Sequence, residues 1–324
     1  LYTGRKVENA IEAQKLGAKV ADLSLSTSKQ QIKLDTTVDF YQVLQAGNLL
    51  EVAKQSVDTL TNHLHNVERQ FDAGVVAKAD VLRTKVQVAN VQDNLIKAQN
   101  GYELAVYKLN YDMGLPLHGQ LELKSQLEYV PYSMTMEESI QYALKHRSEL
   151  EQVEVGVAIA EKQVDIARGD KLPTVSLIGT QTWDDTDYPG TSHDYGWSAV
   201  VRATWDVFDS GITDAKIKKA KYAKAKAEEQ SKDTAEAINL EVSQAYLSLK
   251  EAEKRIETNK VAVEEAVTDF DVAQKRYNNG IGINLDVIDA ELALNTAKTN
   301  YTKALYDYNA SRAKLDKAIG VQVE

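Results

Sequence analysis

Two stretches of 66 residues, Lys6 to Phe71 and Ile212 to Tyr277, contain no proline and place apolar residues three and four apart among Ala, Lys, Glu and Gln. At 1.5 Å per residue each predicts a helix of roughly 100 Å, whereas an ordinary globular helix runs about a dozen residues. A helix of that length buries its apolar stripe only against other long helices. The four prolines, Pro116, Pro131, Pro173 and Pro189, all fall in the middle of the 324-residue chain, so neither flank is broken. No run of 18 apolar residues occurs, which excludes a transmembrane helix and leaves strands as the means of crossing a membrane.

Each long segment ends in a glycine turn, Phe71-Asp72-Ala73-Gly74 and Tyr277-Asn278-Asn279-Gly280, followed by a second helical pattern of about 35 residues. In the second copy Leu285, Ile288, Leu292, Tyr301, Leu305, Tyr308, Leu315 and Ile319 form its apolar stripe. The two hairpins are copies. A shift of 206 positions aligns Gly74–Gly114 with Gly280–Gly320 without a gap and gives ten identities in 41 positions, among them Asp80/Asp286, Tyr102/Tyr308 and Leu109/Leu315. Leu1-Tyr2-Thr3-Gly4 matches Phe208-Asp209-Ser210-Gly211 at a shift of 207, and Phe40 matches Tyr246 at 206.

Between the copies the period changes. One helix is expected from Met136 to Arg168, and after Pro173 the alternation becomes that of strands. Tyr195, Trp197, Ala199, Val201, Ala203, Trp205 and Val207 fall on one face, and Gly196, Ser198, Val200, Arg202, Thr204 and Asp206 on the other, with a turn over 184–194. Aromatic residues near both ends of an apolar face describe a membrane β-hairpin with girdle residues Trp183, Trp197 and Trp205. The alternative is a two-stranded flap on a helical protein; either needs further strands, because an isolated hairpin is marginal. The expected domains are 1–114 (first helical repeat), 115–135 (linker), 136–172 (half-length helix), 173–208 (membrane hairpin) and 209–324 (second repeat).

Composition removes several functions. A formal charge of −10 argues against nucleic acid, which demands clustered cations, and the absence of cysteine removes disulfides, zinc ribbons and thiol nucleophiles. His63 and His65 lie about 200° apart on a helix and cannot share a metal; they are expected to be solvated or at an interface. His118, His146 and His193 have no partner at ligand spacing, and no HExxH, G-x-S-x-G or P-loop is present. No catalytic residue, metal or cofactor is expected. Lys216, Lys218, Lys219, Lys221, Lys224 and Lys226 read first as a solvated helix face and second as a contact with lipid phosphates.

The paired hairpins, the strand exits at Leu1–Gly4 and Phe208–Gly211, and the turn Tyr277-Asn278-Asn279-Gly280 leading into Asp286-Val287-Ile288-Asp289-Ala290 together resemble the TolC-like outer-membrane efflux family. The resemblance implies a mainly α protomer of long antiparallel hairpins that trimerises into an α-barrel below a shared twelve-stranded β-barrel, mostly in the periplasm of a Gram-negative-type bacterium. It implies an export duct docking with a periplasmic adaptor and an inner-membrane pump, with lipid around its strands. Gly74, Val75, Gly280 and Ile281 become the adaptor-docking tips, Asp286 and Asp289 a carboxylate ring at the periplasmic entrance, and Tyr277 with Asp80 a latch between neighbouring tips. The bland reading of Asp286 and Asp289 is a pair of carboxylates at a helix start. The family's basic latch residue falls on Gly282, which leaves no ionic link. The chain starts at Leu1 with no leader and lacks the family's first half-length helix and first strand pair, so two strands per protomer are expected, and any signal peptide lies upstream or has been removed. A non-channel periplasmic coiled-coil or adaptor protein is the competing class, against which stands the lack of adaptor-type β-domains.

Overall fold

A computed structural model describes residues 1–119, 121, 123–184 and 194–321, and of residues 183, 184, 194 and 195 the backbone alone. The turn expected within 184–194 falls mostly on residues 185–193, which, with Pro189 and His193 among them, lie outside the described residues, as does the side chain of Trp183. In chain order the elements are α1 (Lys6–Asp72), α2 (Lys78–Asp112), α3 (Met136–His146), α4 (Ser148–Gly169), β1 (Thr174–Asp184), β2 (Asp194–Thr204), α5 (Ile212–Asn278) and α6 (Asn284–Ala318).

The proline-free flanks form the expected unbroken helices, 67 residues each. Adding 206 to the bounds of α1 and α2 gives those of α5 and α6, so the duplication holds in the backbone as well as in the residues. Left-handed residues obey the same shift: Gly74 with Gly280, Gly114 with Gly320, Gly4 with Ser210, and Arg5 with Gly211. This corrects the alignment at 207. Each long helix begins after two consecutive left-handed residues, and glycine occupies the first of that pair in one repeat and the second in the other. Matching glycine to glycine therefore misplaces the register by one.

The helix expected from Met136 to Arg168 is two helices. Arg147 adopts an extended backbone (φ −71°, ψ 119°), and its buried guanidinium reaches both carboxylate oxygens of Glu149 at 3.0 and 2.9 Å. Residues two apart in a continuous helix point to different sides, so this fork requires the break. A capping box starts α3: Glu138 N–H donates to Thr135 Oγ1 (3.2 Å) and Thr135 N–H to Glu138 Oε2 (2.8 Å).

By contacts the chain forms two compact units that interleave along the sequence, Leu1–Thr27 with Arg147–Ala237, and Ser28–His146 with Ile238 onward. In the first, α4 runs antiparallel to the starts of both long helices. Lys6 and Lys216 meet Asp170 at 3.0 and 3.3 Å, Lys19 meets Glu151 at 2.6 Å, and Lys224 meets Glu161 at 3.3 Å. A Cβ on Gly4 would stand 2.6 Å from the Gly169 carbonyl oxygen, so α1 starts this close to α4 only with glycine at position 4.

In the same unit β1 and β2 pair antiparallel with Leu177 opposite Val201, Gln181 opposite Trp197, and Ser176 opposite Arg202. The two faces are those the alternation predicts, and Arg202 shares its face with Ser176, Thr180 and Ser198. Trp197 (82% exposed) and Val201 (66%) stand bare on the apolar face. The strand is shorter than expected: β2 stops at Thr204, and Trp205 lies beyond it with its ring N–H donating to the Lys171 carbonyl at 3.1 Å. Tyr2 exchanges two backbone hydrogen bonds with Val175 (2.9 and 2.7 Å), so the residues before α1 already lie along the free edge of β1.

The second unit holds α3 together with the greater part of α1 and α5 and all of α2 and α6. Partner numbers fall along one helix as they rise along the other for Asp39–Lys108 and Glu68–Lys85, and for Glu241–Lys317 and Arg255–Asp307, so each hairpin is antiparallel. Val43, Leu60, Val67, Leu109, Val242, Leu249, Val287, Tyr308 and Leu315 are almost wholly buried. The expected stripe of α6 is corrected at two positions: Leu285 and Leu292 are exposed, while Asn284, Val287 and Glu291 are buried. The buried face lies one residue, about 100°, round from the Leu285/Leu292 pair. The linker 115–135 is fastened by side chain to backbone bonds. Tyr308 Oη donates to the Val130 carbonyl (2.6 Å), Asn309 Nδ2 to that of Glu128 (3.1 Å), and Asn110 Nδ2 to those of Leu117 and Gly119 (3.1 and 2.9 Å).

Candidate functional site at the helical tips

Both long helices end alike. Gly74 N–H donates to the Phe71 carbonyl (2.8 Å) and Val75 N–H to that of Gln70 (2.9 Å); Gly280 N–H donates to Tyr277 and Ile281 N–H to Arg276, both at 3.0 Å. This double bonding closes a helix on a left-handed residue, and the φ values of +74° and +73° call for glycine. The residue after each glycine is thrust outward, leaving Val75 69% and Ile281 70% exposed. The second tip has one further constraint. A Cβ on Gly282 would come within 3.0 Å of Tyr277 N and 3.1 Å of the Arg276 carbonyl carbon, so any side chain there must displace backbone.

Beneath the turns Tyr277 packs with Val67, Val81, Ala273, Val287 and Ala290, its ring edge-on to His63 at 5.0 Å. Of the two histidines on α1, His63 is 4% exposed, buried rather than solvated, and His65 lies outside, 3.8 Å from Glu68. His63 Nε2 meets Asn284 Oδ1 at 2.7 Å. Asn284 Nδ2 donates to Thr84 Oγ1 (3.0 Å) and to the Asp80 carbonyl (3.3 Å). Two turns along, the Ser56 hydroxyl donates to Glu291 Oε1, and Glu291 Oε2 has no hydrogen-bond partner among the described residues. Burial pushes the Glu291 carboxyl above the usual range. These polar groups tie α1, α2 and α6 together inside an otherwise apolar core.

The latch residues come together without bonding. Tyr277 Oη is buried and has no hydrogen-bond partner among the described residues. Burial, then the charge of Asp80, raises its pKa, while Asp80 faces Arg83 at 3.9 Å. Tyr277→Phe is therefore expected to leave the unfolding midpoint of the chain unchanged or slightly higher, since a buried hydroxyl with no partner costs stability. A fall in the midpoint on urea titration would mean the hydroxyl is bonded within the chain.

Burial lowers the His63 pKa, which fixes a sign. The imidazole stays neutral in the fold, so its contribution is fully present above about pH 6.5, the unfolded value, and is lost as pH falls below that toward the folded pKa. Wild type should lose stability relative to His63→Gln between roughly pH 7 and pH 5.5; parallel pH profiles by chemical unfolding would refute this.

Asp286 and Asp289 are exposed on α6, off the face that carries Val287 and Ala290. The N-cap residue Ile283 supplies no side-chain cap, so Asp286 serves the helix start only through the dipole. No group of three or more His, Asp or Glu residues stands at metal-binding distances among the described residues, and none of their helices is long and apolar enough to cross a membrane.

The outer membrane efflux protein family model matches residues 1–114 and 139–321, which include both tips and the β-hairpin. The chain belongs to that family. Outer membrane protein TolC of Escherichia coli is 24% identical over 96% of this chain and 66% of its own length. The alkaline protease secretion protein AprF of Pseudomonas aeruginosa is 24% identical over 94% of the chain and 64% of its own length. The chain thus spans just under two thirds of these relatives. Among solved structures, the outer membrane protein VceC of Vibrio cholerae superposes with a TM-score of 0.84 at 18% identity, covering 99% of this chain and 77% of that one. The fold is that of the family's long-helix channels. Sequence reasoning missed His63, Asn284 and Glu291 as core residues, although spacing could have found His63: it stands three after Leu60 and four before Val67, on their stripe.

Proposed function

We propose that the protein is an outer-membrane efflux duct, a homotrimer whose β-hairpins sit in lipid and whose helical tips open for export when a periplasmic adaptor and an inner-membrane pump dock. The observation that carries this reading is the bare apolar face of the hairpin. Leu177, Trp197 and Val201 are exposed on one side of a two-stranded sheet, and such a face needs lipid or further strands to cover it. Tyr2, already bonded along the edge of β1, supports further pairing there. The exposed Val75 and Ile281 support tip docking, because they offer apolar side chains on rigid turns. Most of the chain then lies in the periplasm, and no catalytic chemistry is assigned to it.

The test is reconstitution of the full-length protein in planar bilayers together with chemical cross-linking. The expected result is three-chain cross-links and discrete conductance steps. A monomer without conductance would overturn the duct reading and favour a periplasmic coiled-coil role.

A further inference from the structure

We propose that the junction between β2 and α5 is a docking surface for anionic phosphate headgroups of a lipid leaflet, with Lys216 and Lys219 as the contacts. The inference rests on the membrane reading of the hairpin and names the lipid chemistry that its base selects. Directly after β2 the side chains turn outward. Trp205 is held at the strand base by its bond to the Lys171 carbonyl, and Val207, Phe208 (87% exposed) and Ile212 are bare. Asp209 is drawn into the start of α5, accepting from Gly211 N–H (3.1 Å) and Thr213 N–H (2.6 Å). Cations follow.

At 100° per residue Lys216 and Lys219 lie about 40° and 20° either side of Ile212, roughly 6 and 10 Å further along the axis. A headgroup layer is about 5–8 Å thick, and a lysine stem adds reach along apolar surface. Lys216 shares Asp170 with Lys6, at 3.3 and 3.0 Å, so two ammonium groups meet one carboxylate. Lys219 forms no ion pair among the described residues, and Lys218 lies 6.0 Å from the Tyr222 ring centroid. Nearby acids are Asp214, engaged by Lys171 at 2.6 Å, and the exposed Asp206. The order along the molecule, apolar strand face, aromatic and aliphatic collar, then ammonium groups, is the order of hydrocarbon, interface and phosphate in a bilayer. Lys226 faces the same way about 21 Å from Ile212, beyond that layer.

Flotation of the full-length protein with vesicles of phosphatidylcholine, with and without phosphatidylglycerol, tests the assignment. Wild type should favour the anionic vesicles, and Lys216→Ala/Lys219→Ala should lose on the order of tenfold of that advantage. Lys226→Ala and Lys216→Arg/Lys219→Arg should keep it. An unchanged advantage in the double Ala variant, or an equal loss in Lys226→Ala, would overturn the assignment. Abolition by millimolar inorganic phosphate would show a site for free anions instead. Failure of wild type to float with either vesicle would overturn the membrane reading itself, whereas equal flotation with both would overturn the lysine contacts alone.

Discussion

Tyr308→Ala is expected to lower the unfolding free energy by about 4 kcal/mol, within the range for removing a large aromatic ring from a packed core. Tyr308 is fully buried, lies 5.0 Å from the Tyr129 ring, and fastens the linker through its 2.6 Å bond to the Val130 carbonyl. Tyr308→Phe keeps the ring and should cost only about 1 kcal/mol for the lost bond. The repeat supplies an internal comparison. Tyr102, the copy of Tyr308 in the first hairpin, is half-buried beside Val43 and Leu109, so Tyr102→Ala should cost roughly half as much. Urea unfolding followed by circular dichroism ranks the three, and a Tyr102→Ala loss equal to that of Tyr308→Ala would show that the linker contributes nothing.

Asp286→Asn with Asp289→Asn should weaken block by multivalent cations on the order of tenfold in reconstituted full-length pores and reduce cation preference. In the proposed trimer Asp286 and Asp289 would supply six carboxylates around a narrow bore, where low-dielectric walls focus potential far more than the same charges on an open surface would. Stability should hardly move, because both side chains are exposed and neither forms an ion pair among the described residues. Tyr277→Phe should leave ion preference unchanged, because its hydroxyl is buried beneath the tip turns. Unchanged ion preference in the double Asn variant would place the aspartates outside the permeation path and return them to the helix-start role.

The long helices were legible because nothing opposes them: without proline or a glycine cluster, the apolar spacing alone sets their course, and Gly74 and Gly280 mark where it ends. The break at Arg147 carried no such mark. Its neighbours keep helical spacing, and the cause is a fold-back onto Glu149 that appears only once the guanidinium is buried. On α6 the apolar Leu285 and Leu292 point away from the inner face because the neighbours α1 and α2 define that face, through Asn284 and Glu291. Gly4 and Gly211 are not equivalent for a related reason: the repeats share backbone conformation rather than residue identity, and Arg5 and Ser210 carry the left-handed conformation without being glycine.

The constant offset between repeats also restricts how such a chain can change its length. One residue inserted into α2 or α6 would turn every later side chain by about 100° and advance it by 1.5 Å, moving Leu109 or Leu315 off the seam it fills. Seven residues misalign the seam by only about 20°. Even then the antiparallel partner helix must gain seven as well, or the contacts Asp39–Lys108 and Arg255–Asp307 slide past one another. The hairpin behaves as a ruler with heptad graduations read on both edges at once. Viable length variants should therefore come as matched pairs of heptads, and lone insertions should be confined to the linker 115–135, which has no helical phase to keep.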